Sequence, residues 1–125
     1  NGAPGVYTAR YAGENPTFED NVNKMLLELK DVSDFKRIAR FRTVLAFVNS
    51  DSELCEEGII EGEITKSVFG KDGFGYDPIF KPKNYSITFA EMSAEEKNRI
   101  SHRARALVKM KKTIKKYFKN GDSIE

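Results

Sequence analysis

The first amphipathic helix is predicted near the start of the chain. Thr17 offers a hydroxyl N-cap, and Glu19 and Asp20 follow it in the first turn, where acidic groups suit the positive end of a helix dipole. We therefore expect a helix over residues 17–30. Five apolar residues fall at three- and four-residue spacing along it and should form one buried stripe, namely Phe18, Val22, Met25, Leu26 and Leu29.

A second, longer helix is predicted at the end of the chain. Ser93 and Glu96 form an S-x-x-E capping box, and a helix over residues 94–118 should follow it. On a helical wheel, Arg103 falls inside the apolar arc, about 40° from Leu107. A guanidinium that points inward needs a carboxylate, a carbonyl or a ligand as partner, so Arg103 is the best single candidate for ligand contact. The arc consists of Ile100, Leu107, Met110, Ile114 and Phe118.

Between the two helices the chain is rich in strand-forming residues. The apolar run within residues 42–49 is typical of a central strand that is covered on both faces. Residues 57–67 alternate between apolar and polar positions and should form an antiparallel hairpin with that strand. A short third strand is expected at residues 87–90. The order α-β-β-β-α indicates one mixed α/β domain over residues 1–125, with a mixed sheet and flanking helices.

Composition narrows the class of protein. The 125 residues, 39% of them apolar, are enough for one globular domain. No apolar run approaches the roughly twenty residues of a membrane span, and no signal peptide is evident, so a soluble cytoplasmic protein is expected. The single cysteine, Cys55, can form neither an internal disulfide nor a zinc site. Residues 93–120 hold ten Lys or Arg against two Glu, which fits a solvated helix face or, less readily, a nucleic-acid surface.

The octapeptide 73–80, Gly-Phe-Gly-Tyr-Asp-Pro-Ile-Phe, is the first candidate binding segment. Its glycines permit unusual backbone conformations and let a ligand approach closely. Phe74 or Tyr76 could then stack on a base, with Asp77 supplying a polar group at its edge. The alternative is a tight turn in which the aromatic residues fill the core and Asp77 makes an Asx-turn.

A second candidate segment contains the only histidine in the chain. Lys97, His102 and Arg103 bring together groups that can donate hydrogen bonds. Donors suit the 6-keto oxygen of hypoxanthine, xanthine or guanine, whereas they would face the donor amino group of adenine. The alternative is a surface patch with a satisfied histidine. Together the two segments predict a purine nucleotide as ligand.

Three ordered motifs of the chain closely resemble the inosine triphosphate pyrophosphatase (ITPase) family. Their order and spacing also agree with the family, and the resemblance extends over essentially the whole chain. The motifs are Ala9-Arg10-Tyr11-Ala12-Gly13, then Gly73-Phe74-Gly75-Tyr76-Asp77-Pro78-Ile79-Phe80, and Phe89-Ala90-Glu91-Met92 with Lys97-Asn98 and Ile100-Ser101-His102-Arg103.

The resemblance implies an ITPase-like fold and a defined activity. Members of this family hydrolyse non-standard purine nucleoside triphosphates such as ITP, dITP and XTP to the monophosphate and pyrophosphate, with magnesium, and so cleanse the nucleotide pool. They are typically homodimers. Phe74 would stack on the base, and His102 and Arg103 would lie near its 6-keto edge. The substrate-binding residues implied in this way are Phe74, Gly75, Tyr76, Asp77, Lys97, His102 and Arg103.

The chain departs from the family pattern at its front. It has no counterpart of the family's Thr-x-Asn-x-x-Lys-like phosphate loop, of an upstream metal-binding glutamate, or of an Asp-Asp-Ser-Gly-Leu-like stretch with the acid thought to activate water. We therefore expect no catalytic residue and no metal ligand in this chain, and little or no hydrolysis by it alone. Two other hypotheses remain: a purine-nucleotide-binding fragment without catalysis, and a nucleic-acid-binding module that uses the basic last helix.

Overall fold

The computed structural model describes residues 2–120, apart from the side chain of Asn120. These residues divide into two compact units. The first unit comprises residues 2–39 and 61–94, and the second comprises residues 40–60 and 95–120. The two candidate binding segments therefore belong to different units.

Helices and a three-stranded sheet confirm the predicted α/β class. The strands follow the order β1-β2-β3, and β3 pairs antiparallel with β2. None of the helices within residues 2–120 is long and apolar enough to cross a membrane. The helices are α1 (Phe18–Glu28), α2 (Ala94–Ile100) and α3 (His102–Asn120), and the strands are β1 (Ile38–Val48), β2 (Glu53–Ile64) and β3 (Phe80–Pro82). Short 3-10 helices occupy Gly5–Arg10, Asp34–Lys36, Asp77–Ile79 and Phe89–Glu91.

Helix α1 begins where its cap predicts. The Asp20 amide donates to the Thr17 hydroxyl at 3.1 Å, and the Thr17 amide donates to the Asp20 carboxylate at 2.9 Å. Val22 and Met25 are buried as expected. Phe18, however, is 60% exposed, so its predicted place in the core is wrong. As the first helical residue it lies one turn beyond the buried part of the stripe.

Strand β1 differs from the covered central strand that its apolar run predicts. It lies at one edge of the described sheet, with β2 as its strand neighbour. Exposed and half-buried residues alternate along its whole length, and Val44 and Val48 are among the exposed ones. The continuous apolar run therefore places every second side chain on a face that the described residues leave uncovered, and the prediction of two covered faces is wrong.

The remaining strands are partly as predicted. The alternation in β2 is confirmed, because Ile60 and Ile64 are both buried. The predicted third strand at residues 87–90 is wrong. Thr88 instead caps the 3-10 helix Phe89–Glu91, and its amide donates to the Glu91 carboxylate at 2.9 Å. The third strand lies earlier, at β3, where Phe80 pairs with Ile64.

The predicted last helix is interrupted at Ser101. It begins at Ala94 as expected, but α2 ends at Ile100 and α3 begins at His102. The Ser101 hydroxyl accepts the Ala104 amide at 3.1 Å, which caps the first turn of α3 and breaks the single predicted helix in two.

The core of the first unit supports the segment that carries the candidate loop. Ile79, Phe80 and Phe89 are fully buried, and the rings of Phe80 and Phe89 lie 5.2 Å apart. The buried Arg37 guanidinium donates to the carbonyls of Ile64 at 2.8 Å and Thr65 at 2.7 Å, and also to the carbonyl of Leu29 just after α1. Arg37 thus ties the end of α1 to the end of β2.

Candidate functional site

The loop in the first unit is closed by one carboxylate. The Phe74 amide donates to Asp77 Oδ2 at 3.0 Å, and the Asp77 amide donates back to the Phe74 carbonyl at 3.2 Å. The Asp77 residue is only 3% exposed, so these bonds are shielded from water. This pair of hydrogen bonds fixes the backbone of Phe74.

Two glycines make this closure possible. Gly73 and Gly75 have φ values of 82° and 60°, which residues with a side chain rarely adopt. A Cβ at Gly73 would also lie 2.3 Å from Asp77 Oδ2, whereas a Cβ at Gly75 would meet nothing within 4 Å. Gly73 is therefore required for the close approach of the Asp77 carboxylate.

The aromatic residues of the loop have different environments. Phe74 is 45% exposed, so the alternative in which it fills the core is wrong. Tyr76 is half-buried and donates its hydroxyl to the Thr8 carbonyl at 2.6 Å. Burial raises the pKa of Tyr76 above its ordinary value, so the phenol stays a donor to higher pH than an exposed tyrosine would. The Asp77 carboxylate accepts the amide of Phe74, three residues earlier, so this bond is not the predicted Asx-turn, in which the accepted amide lies two residues later. It nevertheless holds the loop that presents the Phe74 ring.

Phe18 accompanies Phe74 on the surface of the first unit. The ring centroids lie 6.5 Å apart with the planes tilted by 43°. The sequence does not reveal this pair, because the spacing of Phe18 matches that of the buried stripe. Its position as the first helical residue is the one feature of the sequence that distinguishes Phe18 from the buried residues of the stripe.

Asn21 is a second residue that the sequence analysis did not single out. Its side chain is buried, accepts the Ala12 amide at 2.8 Å and donates to the Ala9 carbonyl at 3.1 Å. Together with the Tyr76 bond to Thr8, it holds the first motif, residues 9–13, beside the loop. The sequence does contain an indication of this role, because Asn21 is a polar residue directly beside the apolar stripe of α1.

In the second unit, His102 is positioned by strand packing. Its ring packs edge-on against Phe41 of β1, with the centroids 5.3 Å apart. A Cβ at Gly58 of β2 would lie 1.9 Å from the His102 carbonyl oxygen and 2.6 Å from the Ala106 nitrogen. The first turn of α3 therefore lies directly on β2, and a glycine is needed there.

Arg103 does not point inward as the helical wheel predicts. Arg103 is exposed, and so is Leu107, from which its inward direction was predicted; Ala106 and Met110 are buried on α3 instead. Lys97 is half-buried on α2, and its carbonyl accepts the Ser101 amide at 2.9 Å.

The seven predicted site residues thus form two groups. The first unit brings Phe74, Gly75, Tyr76 and Asp77 together in one loop, and the second carries Lys97, His102 and Arg103 on neighbouring turns around Ser101. Across the part of the chain that the structure describes, no group of three or more His, Cys, Asp or Glu side chains could hold a metal ion.

Comparisons with known sequences place the chain in the same family as the three motifs do. A model described as the Ham1 family matches residues 1–113. The dITP/XTP pyrophosphatase of Thermoanaerobacter sp. (strain X514) is 53% identical over 116 residues, which cover 93% of this chain and 59% of that protein. The protein of the same name from Bacillus subtilis (strain 168) is 47% identical over 114 residues, with 90% of this chain and 58% of that protein covered. The chain thus spans somewhat less than two thirds of the length of these curated relatives.

The solved structures that resemble this chain are also Ham1 proteins. The Staphylococcus aureus Ham1 protein matches with a TM-score of 0.87 and 39% identity over 92% of this chain and 59% of that one. A HAM1 protein from Coxiella burnetii matches with a TM-score of 0.83 and 41% identity over 91% of this chain and 59% of that one. The resemblance deduced from the three motifs and the ITPase-like fold are thereby confirmed, and the chain belongs to the Ham1 family.

Proposed function

We propose that the protein is a nucleoside triphosphate pyrophosphatase that hydrolyses ITP, dITP and XTP to the monophosphate and pyrophosphate. In this role it would remove non-standard purine nucleotides from the nucleotide pool. Membership of the Ham1 family supports the proposal, as do relatives that bear the name dITP/XTP pyrophosphatase. Because the chain spans 59% of the length of such a relative, we assign hydrolysis to a protein of the relatives' full length and nucleotide binding to this chain.

The observation that carries the proposal is the exposed Phe74 ring on a fixed loop. An apolar ring is ordinarily buried, yet here glycines and the buried Asp77 hold its backbone while 45% of the residue stays exposed. A purine base can stack on such a ring, which contributes roughly 1 to 3 kcal/mol whichever base it is. Stacking therefore supplies affinity, and selectivity has to come from hydrogen bonds.

In the second unit we propose that His102 and Arg103 donate to the 6-keto oxygen of the base and that Lys97 also binds the nucleotide. Arg103 is an exposed residue whose guanidinium carries several donors in a planar arrangement, and the packing of His102 against Phe41 limits the orientations of the imidazole ring. Adenine presents an amino group at the same position, so these donors would disfavour ATP.

Magnesium and a homodimer complete the proposal and rest on the family resemblance. We also propose a cytoplasmic location, which rests on the sequence pattern alone. The described residues offer no cluster of metal-ligating side chains, so we propose that the magnesium ligands lie outside them. Magnesium would supply charge stabilisation for phosphoryl transfer. The residues described here would bind and orient the nucleotide.

The test separates binding from hydrolysis. We expect the purified 125-residue chain to bind IMP in a calorimetric titration and to release no pyrophosphate from ITP with magnesium. A form extended upstream to the length of the relatives should release it. Lack of IMP binding by the chain would refute its assigned binding role, and pyrophosphate release by the chain alone would refute the division of roles.

Two variants test the assigned roles by titration with IMP and AMP. Phe74→Ala should weaken both nucleotides alike, by about 5- to 150-fold, because stacking does not depend on the base. Arg103→Ala should weaken IMP much more than AMP, because it removes a donor to an oxygen that AMP lacks. Lys116→Ala, which removes an exposed charge farther along α3, is the matched control and should leave both affinities unchanged.

A nucleic-acid-binding module is the second candidate function. The observation in its favour is the set of exposed lysines on α3, Lys109, Lys111, Lys112, Lys115, Lys116 and Lys119. Binding of single or double strands that falls steeply between low and physiological salt would support it. Competition by IMP for the same surface would count against it, because a nucleotide site and a phosphate-backbone surface use different groups.

A further inference from the structure

Phe18 is a large apolar side chain in an unusual position. It is the first residue of α1 and is 60% exposed, although the rest of its stripe packs into the unit. The reciprocal hydrogen bonds between Thr17 and Asp20 fix the backbone at this end of the helix. The position of Phe18 is therefore well defined even though its ring is not buried in the core.

The ring that Phe18 accompanies is the one proposed to take the base. The centroid separation of 6.5 Å and the tilt of 43° lie within the range for interacting aromatic pairs, which is about 4.5–7 Å. Both backbones are fixed independently, Phe18 by the helix cap and Phe74 by the Asp77 carboxylate. Two separate local structures thus bring two exposed phenylalanines together.

We infer that Phe18 is a further nucleotide-positioning residue, which packs against Phe74 and orients that ring for stacking on a purine base. The inference rests on the proposed function, since the ligand is the same nucleotide. The contact restricts the rotation of the Phe74 ring, so less conformational freedom is lost when a base stacks on it. Phe18 also extends the apolar surface on which the base lies. Neither effect depends on the polar groups of the base.

The test measures IMP and AMP binding to the 125-residue chain by calorimetry. Phe18→Ala should weaken both nucleotides by the same factor, about 2- to 12-fold, the range that corresponds to the coupling energy of an aromatic pair. Phe18→Tyr retains the ring and should keep nearly the affinity of the unsubstituted chain. Phe18→Leu retains apolar volume without the ring, so it should bind less well than Phe18→Tyr.

Leu27→Ala is the matched control. Leu27 is 65% exposed on the same helix, and nine residues of helical rotation place it on the side opposite Phe18. Its substitution should leave the affinity unchanged. Thermal unfolding of each variant should remain close to that of the unsubstituted chain, because these side chains are largely exposed.

The outcomes separate the inference from the proposed function. If the chain binds IMP and Phe18→Ala binds it equally well, the inference is wrong and the proposed function stands. An equal loss of nucleotide affinity in Phe18→Tyr and Phe18→Ala would also overturn the inference, because the aromatic ring, which Phe18→Tyr retains, would then not be what strengthens binding. If the unsubstituted chain binds no purine nucleotide, the assigned binding role and the inference fail together.

Discussion

Single residues determine how the Phe74 loop is held. The Asp77 carboxylate can accept the Phe74 amide because Gly73 leaves room for it, and Gly75 supplies a second left-handed backbone conformation. The sequence of this segment allows either a ligand-binding loop or a tight turn with an Asx-turn at Asp77 and its aromatic residues in the core. The tight turn is real, and it exposes Phe74. The bond between Asp77 and Phe74 is thus compatible with the stacking role that we propose.

Gly73 and Gly75 provide a matched pair of substitutions in this loop. Gly73→Ala should destabilise the chain by about 1–3 kcal/mol beyond the cost of a left-handed alanine, because the new Cβ also displaces the buried Asp77 carboxylate. Gly75→Ala adds only the cost of a left-handed alanine, about 1–2 kcal/mol, and leaves Asp77 in place. Amide hydrogen exchange gives the sharper measurement, since exchange at Phe74 should accelerate strongly in Gly73→Ala alone. Equal protection of the Phe74 amide in the two variants would contradict this account of the loop.

At the scale of elements, the contact of α3 with β2 positions His102. The helix lies so close to the strand that only glycine fits at position 58. The hydroxyl of Ser101 caps the same first turn of the helix. The short contact is made to backbone atoms of the helix, which cannot rotate away as a flexible side chain could. The placement of His102 therefore depends on a residue with no side chain of its own.

Gly58→Ala tests this contact. The added methyl group would meet the His102 carbonyl and the Ala106 backbone, so we expect a loss of about 1–3 kcal/mol in the free energy of unfolding. Weaker IMP binding should accompany it, because the first turn of α3 has to shift. Cys55→Ala alters an exposed residue on the same strand and should change the stability by less than about 0.5 kcal/mol. Urea unfolding of both variants measures the difference, and equal stabilities would refute the close-packing account.

Some elements whose bounds depend on residues close together in sequence were predicted correctly. The Thr17 cap predicted the start of α1, and the alternation in β2 predicted its buried residues. Residues 87–90 were mistaken for a strand because the bond between Thr88 and Glu91 favours a helical turn that an apolar pattern does not reveal. The exposed face of β1 could not be predicted either, because coverage depends on neighbours that are distant in sequence.

At the scale of the whole molecule, the motifs identify residues but not their environments. The octapeptide and the histidine segment were both recognised from sequence, and they belong to different units. The exposure of Arg103 was missed because its place inside the apolar arc was judged from Leu107, which is 51% exposed, whereas α3 buries Ala106 and Met110. The partnership of Phe18 with Phe74 joins residues that are 56 positions apart, and no local pattern encodes it.

Buried and hydrogen-bonded tyrosines should give the stability of the chain a distinctive pH dependence. In the first unit, burial raises the pKa values of Tyr76 and Tyr11. In the second unit, the pKa of Tyr117 is lowered, because the Ser52 hydroxyl at 3.0 Å and the Asn49 amide at 3.3 Å donate to its phenolic oxygen. The two kinds of tyrosine should therefore act in opposite directions at alkaline pH.

The sign follows from which state releases its proton first. For Tyr76 the unfolded chain ionises first, near pH 10, so its contribution to stability is complete below that pH and is lost as pH rises through the folded pKa. For Tyr117 the folded chain ionises first, so its contribution grows as pH rises through the lowered pKa. Between pH 8 and pH 11, Tyr76→Phe should lose less unfolding free energy than the unsubstituted chain, and Tyr117→Phe should lose more. Urea unfolding at the two pH values measures these changes, and the comparison between variants cancels the common titration of the lysines. The reverse order, or equal losses in all three proteins, would show that the environments of Tyr76 and Tyr117 do not set this pH dependence.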